Sequence, residues 1–122
     1  MLQALSLEKN KRFAEITIFL VNDARIKGLN KRFLRKNSPT DVIAFDSSIN
    51  KKEILADIFI SVDSAIRNSR LYNVLPSDEL LLYAVHGALH ILGFNDKTPQ
   101  QIALMRKKEK EILSCLSNAA KP

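Results

Sequence analysis

The sequence predicts an α+β fold in which one mixed sheet is covered by helices. Three short segments are rich in β-branched and aromatic residues, and four longer segments have helical periodicity or helical caps, in the order β, α, β, β, α, α, α. A chain of 122 residues is long enough to bury about two thirds of its unfolded surface. We therefore expect residues 1–122 to form a single domain.

Cysteine content and hydropathy indicate the compartment. The single cysteine, Cys115, cannot form an internal disulfide, which is typical of a reducing compartment. The chain starts with a short apolar stretch followed by charges, which is the wrong order for a secretory signal, and no apolar run is long enough to span a membrane. We expect a cytoplasmic protein without a membrane partner.

The three strands are predicted from β-branched and aromatic segments bounded by turn-forming residues. They span residues 15–21, 41–46 and 55–61. In the third strand, Ala56, Ile58 and Ile60 should lie on one face of the sheet, and Asp57 and Phe59 on the other. A polar connection at residues 47–52 should join the second strand to the third.

A helix capped by Asn22 is predicted between the first two strands. Residues spaced three and four apart form its inward stripe, which comprises Ile26, Leu29, Asn30, Phe33 and Leu34. Against the single acid Asp23, residues 23–36 carry six bases, namely Arg25, Lys27, Lys31, Arg32, Arg35 and Lys36. A field of this sign attracts polyanions through their phosphates, and the alternative is a solvated helix face.

Three further helices are predicted after the third strand, at residues 62–73, 77–93 and 98–114. Residues 77–79 (SDE) favour a helix start by capping and charge. Residues 98–101 (TPQQ) have capping-box spacing, with proline at the first helical position. Four bases suit the C-terminal end of the last helix dipole, namely Arg106, Lys107, Lys108 and Lys110.

The chain's two histidines, His86 and His90, lie four residues apart in the apolar run 80–92, which should be a buried helix. Their Cβ atoms are then about 5–6 Å apart on one face, which lets both imidazoles bind one metal ion. Gly93 can take the left-handed conformation that ends a helix, and Asp96 follows as a third ligand. The alternative is a pair of core histidines, but each unpartnered imidazole would carry a desolvation cost.

Several ordered segments add to this pattern. They are residues 29–30 (LN) with Phe33, residues 39–45 (PTDVIAF), residues 56–58 (ADI) with Ile60 and Ser61, and residues 86–96 (HGALHILGFND). In these segments the sequence resembles the YbeY proteins, bacterial rRNA maturation factors described as single-strand endoribonucleases. The resemblance implies a metzincin-like α+β fold with one zinc ion on a central helix.

The resemblance also implies a substrate and partners. It implies action at the 3′ end of 16S rRNA and a part in ribosome quality control. The expected partners are rRNA and the small ribosomal subunit, with a small-subunit ribosomal protein or an assembly GTPase as further candidates, and no DNA. The residues expected to bind RNA are Arg25, Lys27, Lys31, Arg32 and Lys36.

This chain departs from the family pattern at three positions. Asp96 stands where the family has a third histidine. Zinc is still expected, but because an anionic ligand favours harder metals, another divalent metal remains the alternative. Leu34 stands where the family usually has an arginine. Arg35 follows it and is our candidate catalytic residue, although one helical step rotates a side chain by about 100°. Ala56 replaces a usual glycine.

Three functions are compatible with such a metal site. The first is phosphodiester hydrolysis with His86, His90 and Asp96 as ligands. The second is a ribosome-assembly factor that binds RNA and contains a structural metal. The third, a zinc peptidase, is disfavoured because its glutamate base would follow the first histidine, where this chain has Gly87.

Overall fold

The computed structural model describes residues 13–50 and 52–120, so the N-terminal apolar start, its charges and Lys51 lie outside the described residues. Within these ranges, three strands and four helices follow one another in the predicted order. They are β1 (Phe13–Val21), α1 (Asp23–Leu34), β2 (Val42–Asp46), β3 (Glu53–Ser61), α2 (Val62–Leu71), α3 (Pro76–Ile91) and α4 (Pro99–Ala120).

The sheet has the strand order β1-β3-β2 and is mixed, as predicted. The central strand β3 pairs in parallel with β1, where Ile18 lies opposite Ile58. It pairs in antiparallel fashion with β2, where Ala44 lies opposite the same Ile58. The parallel pair is possible because α1 and β2 separate β1 from β3 along the chain.

The two faces of the sheet are covered by different helices, and the predicted alternation on β3 is confirmed. Ala56, Ile58 and Ile60 are buried in a cluster with Tyr83, Ala84 and Ala88 of α3. On the opposite face, Phe59 packs in a cluster with Ile26 and Leu29 of α1. The period-two pattern of a strand therefore distributes one set of side chains to each helix.

Helix α1 begins as predicted, since the side chain of Asn22 accepts a hydrogen bond from the backbone N–H of Arg25. The predicted stripe is buried only as far as Asn30. Phe33 and Leu34 are 53% and 49% exposed, so their assignment to the inward face is wrong. In the last turn Phe33 packs edge-on against Phe45 of the edge strand β2, with ring centroids 5.3 Å apart.

The structure explains why the inward stripe of α1 contains the polar residue Asn30. Its amide is buried and donates a 2.8 Å hydrogen bond to the carbonyl of Ser38. The backbone N–H of Lys36 donates to the carbonyl of Asn30. Asn30 therefore holds the loop that leads from α1 into β2.

Helix α3 packs closely on the sheet at Gly87. A Cβ atom at this position would meet Cγ2 of Ile58 at 3.0 Å and Cγ2 of Val42 at 3.4 Å. The helix starts at Pro76, and Leu75 in the cap position makes no side-chain cap hydrogen bond. The expected cap from residues 77–79 is therefore wrong, and proline at the first position starts the helix instead.

Helix α4 has the predicted capping box. Thr98 Oγ1 accepts from the N–H of Gln101, whose side chain accepts from the N–H of Thr98. The helix continues to Ala120, beyond the predicted end at residue 114. The bases at positions 106–110 therefore lie in mid-helix, and their assignment to the C-terminal end of the dipole is wrong. Met105 joins α4 to α3 through Val85 and Leu89.

Helix α2 ends at Leu71, two residues before the predicted end, and Asn73 has a positive φ of 56°. Helix α2 and its N-cap are tied to α1 at Asp23, which accepts a hydrogen bond from Ser61 Oγ and forms an ion pair with Arg67. No helix among the described residues has the length and apolar character that crossing a bilayer requires.

Candidate metal centre

The imidazoles of His86 and His90 project from one face of α3, one helical turn apart. Their Nε2 atoms are 3.1 Å from each other, and their rings are inclined by 79°. Two nitrogens at this distance, on rings that face a common point, can share one ion. The four-residue spacing thus places both imidazoles on one face of α3, as predicted from the sequence.

Asp96 reaches the same point because the chain turns back at the end of α3. Gly93 has φ of 100°, and its N–H donates to the carbonyl of His90, while the N–H of Phe94 donates to the carbonyl of Leu89. This pair of hydrogen bonds defines a Schellman motif, and the accompanying apolar contact places Phe94 against the cluster around Leu89. The turn brings Oδ2 of Asp96 beside the imidazoles.

The three atoms form a nearly equilateral triangle. Oδ2 of Asp96 lies 3.5 Å from Nε2 of His86 and 3.4 Å from Nε2 of His90. Ligands of a tetrahedral ion at bond lengths of about 2.0–2.1 Å lie about 3.3–3.4 Å from one another. The side chains of His86, His90 and Asp96 could therefore hold a metal ion, and their spacing fits three corners of a tetrahedron.

Glu109 on α4 orients the first imidazole. Its Oε2 lies 2.5 Å from Nδ1 of His86. Because an ionised carboxylate only accepts hydrogen bonds, this contact places the proton on Nδ1 and leaves the lone pair of Nε2 directed at the other two ligands. A carboxylate behind a histidine is the usual outer partner of a metal-binding imidazole.

The site opens into a cleft of about 720 Å³ between β2, α3 and α4. The side chains of His86 and His90 are 27% and 34% exposed. The expectation that both imidazoles lie in a buried helix core is therefore wrong, because they form the wall of this cleft. Solvent or a substrate in the cleft can therefore reach the side chains of His86, His90 and Asp96.

Three charged residues that line the cleft, Asp41, Arg106 and Glu109, are not among the site residues predicted from the sequence. Glu109 continues the apolar stripe of Ile102, Met105 and Ile112 at helical spacing. A carboxylate in such a stripe needs a polar partner in the core, and that signal could have identified Glu109. Nothing in the local sequence distinguishes Arg106 from the lysines that follow it.

Comparison with known proteins assigns the chain to a family. The family model described as Endoribonuclease YbeY matches residues 1–117. A curated relative of that name from Syntrophus aciditrophicus is 42% identical over 86% of this chain and 70% of the relative. The chain belongs to the YbeY endoribonuclease family.

Further relatives agree with this assignment. A YbeY endoribonuclease from Carboxydothermus hydrogenoformans is 36% identical over 93% of this chain and 82% of the relative. A solution structure of a protein from Thermotoga maritima is 25% identical and has a TM-score of 0.60, covering 93% of this chain and 77% of that one. The α+β fold of this YbeY protein is thus found in a solved structure.

The six basic residues of α1 and of the two positions after it are absent from the described lining of the YbeY cleft. All six are exposed, and the residues that line the cleft include Leu34 but not Arg35. Arg35 is in the left-handed conformation, with φ of 58°, and its backbone N–H caps α1 at Asn30. The structure therefore brings the three predicted metal ligands together and does not bring the predicted RNA-binding bases to them.

Tyr83 lies in the wall of the cleft beneath the histidines. Burial raises the pKa of its phenol to about 12, and the hydrogen bond that Asn68 Nδ2 donates to its oxygen at 2.5 Å opposes this rise. The phenol is therefore neutral at physiological pH and holds α2 against α3.

Proposed function

We propose that this protein is a metal-dependent endoribonuclease that cuts single-stranded RNA. The observation that supports this function is the triangle of His86, His90 and Asp96 at the wall of an open cleft. Three protein ligands with an accessible fourth position are typical of a catalytic metal centre, whereas structural centres are closed by a fourth protein ligand. The curated relatives carry the name endoribonuclease.

We propose zinc, one ion per chain, because imidazole is a good ligand for this metal, and the anionic Asp96 leaves another divalent metal as the alternative. When bound, the ion would act as a Lewis acid on a phosphodiester oxygen. His86, His90 and Asp96 would hold it, and Glu109 would keep the Nε2 lone pair of His86 directed toward it. We retain Arg35 as a candidate for the charge that develops on phosphate.

Exposed bases of α1 and of the turn after it would bind the RNA backbone outside the cleft. They are Arg25, Lys27, Lys31, Arg32 and Lys36. Lysine and arginine can contact phosphates without reading the base sequence. We propose 16S rRNA as substrate, at its 3′ end, with ribosome quality control as the wider role. Residues 1–122 would act as one hydrolase domain in the cytoplasm. Its partners would be the small ribosomal subunit and either a protein of that subunit or an assembly GTPase.

A ribosome-assembly factor with a structural metal is the second candidate. It is favoured by the position of Arg35, which caps α1 and does not line the cleft. It is disfavoured by the described residues around the ion site, since His86, His90 and Asp96 form a group without a fourth histidine, cysteine or carboxylate ligand.

A cleavage assay separates the two candidates. Zinc-loaded protein should cut a labelled single-stranded RNA and lose this activity with a chelator or with His90→Ala, because either change removes the metal. Asn95→Ala, an exposed neighbour of Asp96, should keep it. Activity that survives in His90→Ala, purified in parallel, would assign the cleavage to a contaminant and favour the assembly factor.

A further inference from the structure

We propose that Arg106 of α4 binds a phosphate of the RNA inside the cleft, next to the metal ligands. This inference rests on the proposed nuclease function for its substrate class. It gives α4 two roles at one site, since Glu109 of the same helix orients His86.

The position of Arg106 follows from its helix. Ile102, Met105, Arg106 and Glu109 all line the cleft, and they lie on one face of α4 because they are spaced by three and four residues. Arg106 precedes Glu109 by one turn, so their Cβ atoms are about 5–6 Å apart. Glu109 contacts Nδ1 of His86 at 2.5 Å, and Arg106 lines the same cleft as His86, His90 and Asp96.

The guanidinium of Arg106 has no other task in the part of the chain that the structure describes. It forms no ion pair there, whereas the nearby Lys108 is paired with Glu111 at 3.4 Å. It does not stabilise the end of the helix dipole, because α4 continues to Ala120. Arg106 is exposed, so a charged ligand can reach it without a rearrangement of the core.

The charge of the cleft makes this arginine necessary for an anionic substrate. Among the described residues that line the cleft, three are carboxylates, those of Asp41, Asp96 and Glu109, and Arg106 is the single lysine or arginine. Without a cation, this surface would repel a phosphodiester. A divalent ion together with Arg106 offsets the three negative charges. Its planar guanidinium can donate two parallel hydrogen bonds to one phosphate, which an ammonium group cannot do.

The test compares Arg106→Gln with Lys107→Gln. Both substitutions remove one positive charge from the same turn of α4, but Lys107 does not line the cleft. We would measure binding of a fluorescent 2′-O-methyl RNA oligonucleotide by anisotropy at several salt concentrations, and kcat/KM on the matching RNA. Zinc content and circular dichroism would be recorded for each variant, to compare metal loading and folding.

Arg106→Gln should weaken binding at least fivefold, lower kcat/KM at least tenfold and reduce the salt dependence of binding by about one phosphate contact. Lys107→Gln should change each value by less than twofold. Arg106→Lys should recover part of the binding, because it restores the charge but not the paired hydrogen bonds. Zinc content should be the same in all four proteins.

Equal binding by Arg106→Gln and Lys107→Gln would overturn the inference. A wild-type protein that cuts no RNA refutes the nuclease function, and the binding measurements then still decide whether Arg106 contacts phosphate.

Discussion

Glu109 carries a negative charge into the mostly apolar contact between α3 and α4. Its side chain is only 11% exposed, and a buried carboxylate is costly unless a partner donates to it. Nδ1 of His86 supplies that donor. The same contact fixes which nitrogen of the imidazole faces the metal site, so one residue serves both packing and the geometry of the ligands.

Glu109→Ala should weaken zinc binding by about 10–100-fold, which is the usual effect of removing an outer partner of a ligating histidine. Glu109→Gln should lose less, because its amide oxygen can still accept from Nδ1. Competition with a chromogenic chelator would give the affinities. Glu111→Gln is the matched control, since Glu111 is exposed and pairs with Lys108. Equal affinities for Glu109→Ala and wild type would remove Glu109 from the site.

Tyr83 makes the free energy of unfolding fall as pH rises through the alkaline range. Its pKa is raised from 10.0 to about 12, so the folded protein holds a proton that the unfolded chain releases. The stabilisation is complete below about pH 10 and is lost as pH rises toward about 12. Urea unfolding should therefore show a smaller loss of stability between about pH 9 and 11 in Tyr83→Phe than in wild type.

The control for this measurement is Tyr72→Phe, because Tyr72 is 65% exposed. This variant should follow the wild-type pH dependence within error. If Tyr83→Phe and wild type lose the same free energy over this range, the buried phenol does not cause the loss, and the lysines of the surface would account for it.

Residues of the candidate site differ in how far the sequence reveals them. His86, His90 and Asp96 are predictable because their spacing is local, within one helix and the turn after it. Glu109 is 23 residues from its partner His86, and this contact exists only because α4 packs on α3. Docking of this kind depends on the whole core, which no short pattern encodes.

At the scale of the elements, the turn after α3 positions the third ligand. Gly93 has a positive φ of 100°, a conformation that costs a residue with a Cβ atom about 1–2 kcal/mol. The Schellman hydrogen bonds and the packing of Phe94 hold this turn in place. The candidate metal site therefore depends on the backbone of Gly93 as well as on three side chains.

Gly93→Ala should lower the free energy of unfolding by about 1–2 kcal/mol and weaken zinc binding, because relief of the strain moves Asp96 away from the histidines. Gly28→Ala is the matched control. A Cβ atom at Gly28 meets nothing within 4 Å, and alanine favours a helix over glycine by up to about 1 kcal/mol. Urea unfolding and zinc titration of both variants would check this, and a Gly93→Ala protein with wild-type zinc affinity would contradict it.

The elements themselves were largely predictable, and their ends were less so. Periodicity gives the order of all seven, and the caps at Asn22 and Thr98 are confirmed. The inward assignment of Phe33 fails because burial depends on how far the sheet extends beneath α1, which is a tertiary property. The predicted end of α4 at residue 114 is wrong because no glycine or proline follows it before Pro122 to mark a stop.

At the scale of the whole molecule, the candidate metal site adds to the packing of α4 on α3, which share a cluster formed by Val85, Leu89 and Met105. The ligands lie on α3 and on the turn after it, and Glu109 adds α4 through His86. A bound ion would therefore strengthen the attachment of α4 to the helix that packs on the sheet. An ion that binds only the folded protein also raises its stability by mass action.

Zinc at about one hundred times its dissociation constant should stabilise the protein by about 2.7 kcal/mol, which raises the melting temperature by on the order of 10 °C. A chelator should reverse the shift, and His90→Ala should show none. Hydrogen exchange should slow in α4 around Glu109, but not in α1, whose core cluster is separate. An equal shift in His90→Ala would place the stabilising ion elsewhere, and slowing confined to residues 86–96 would mean that α4 is not coupled to the ion through Glu109.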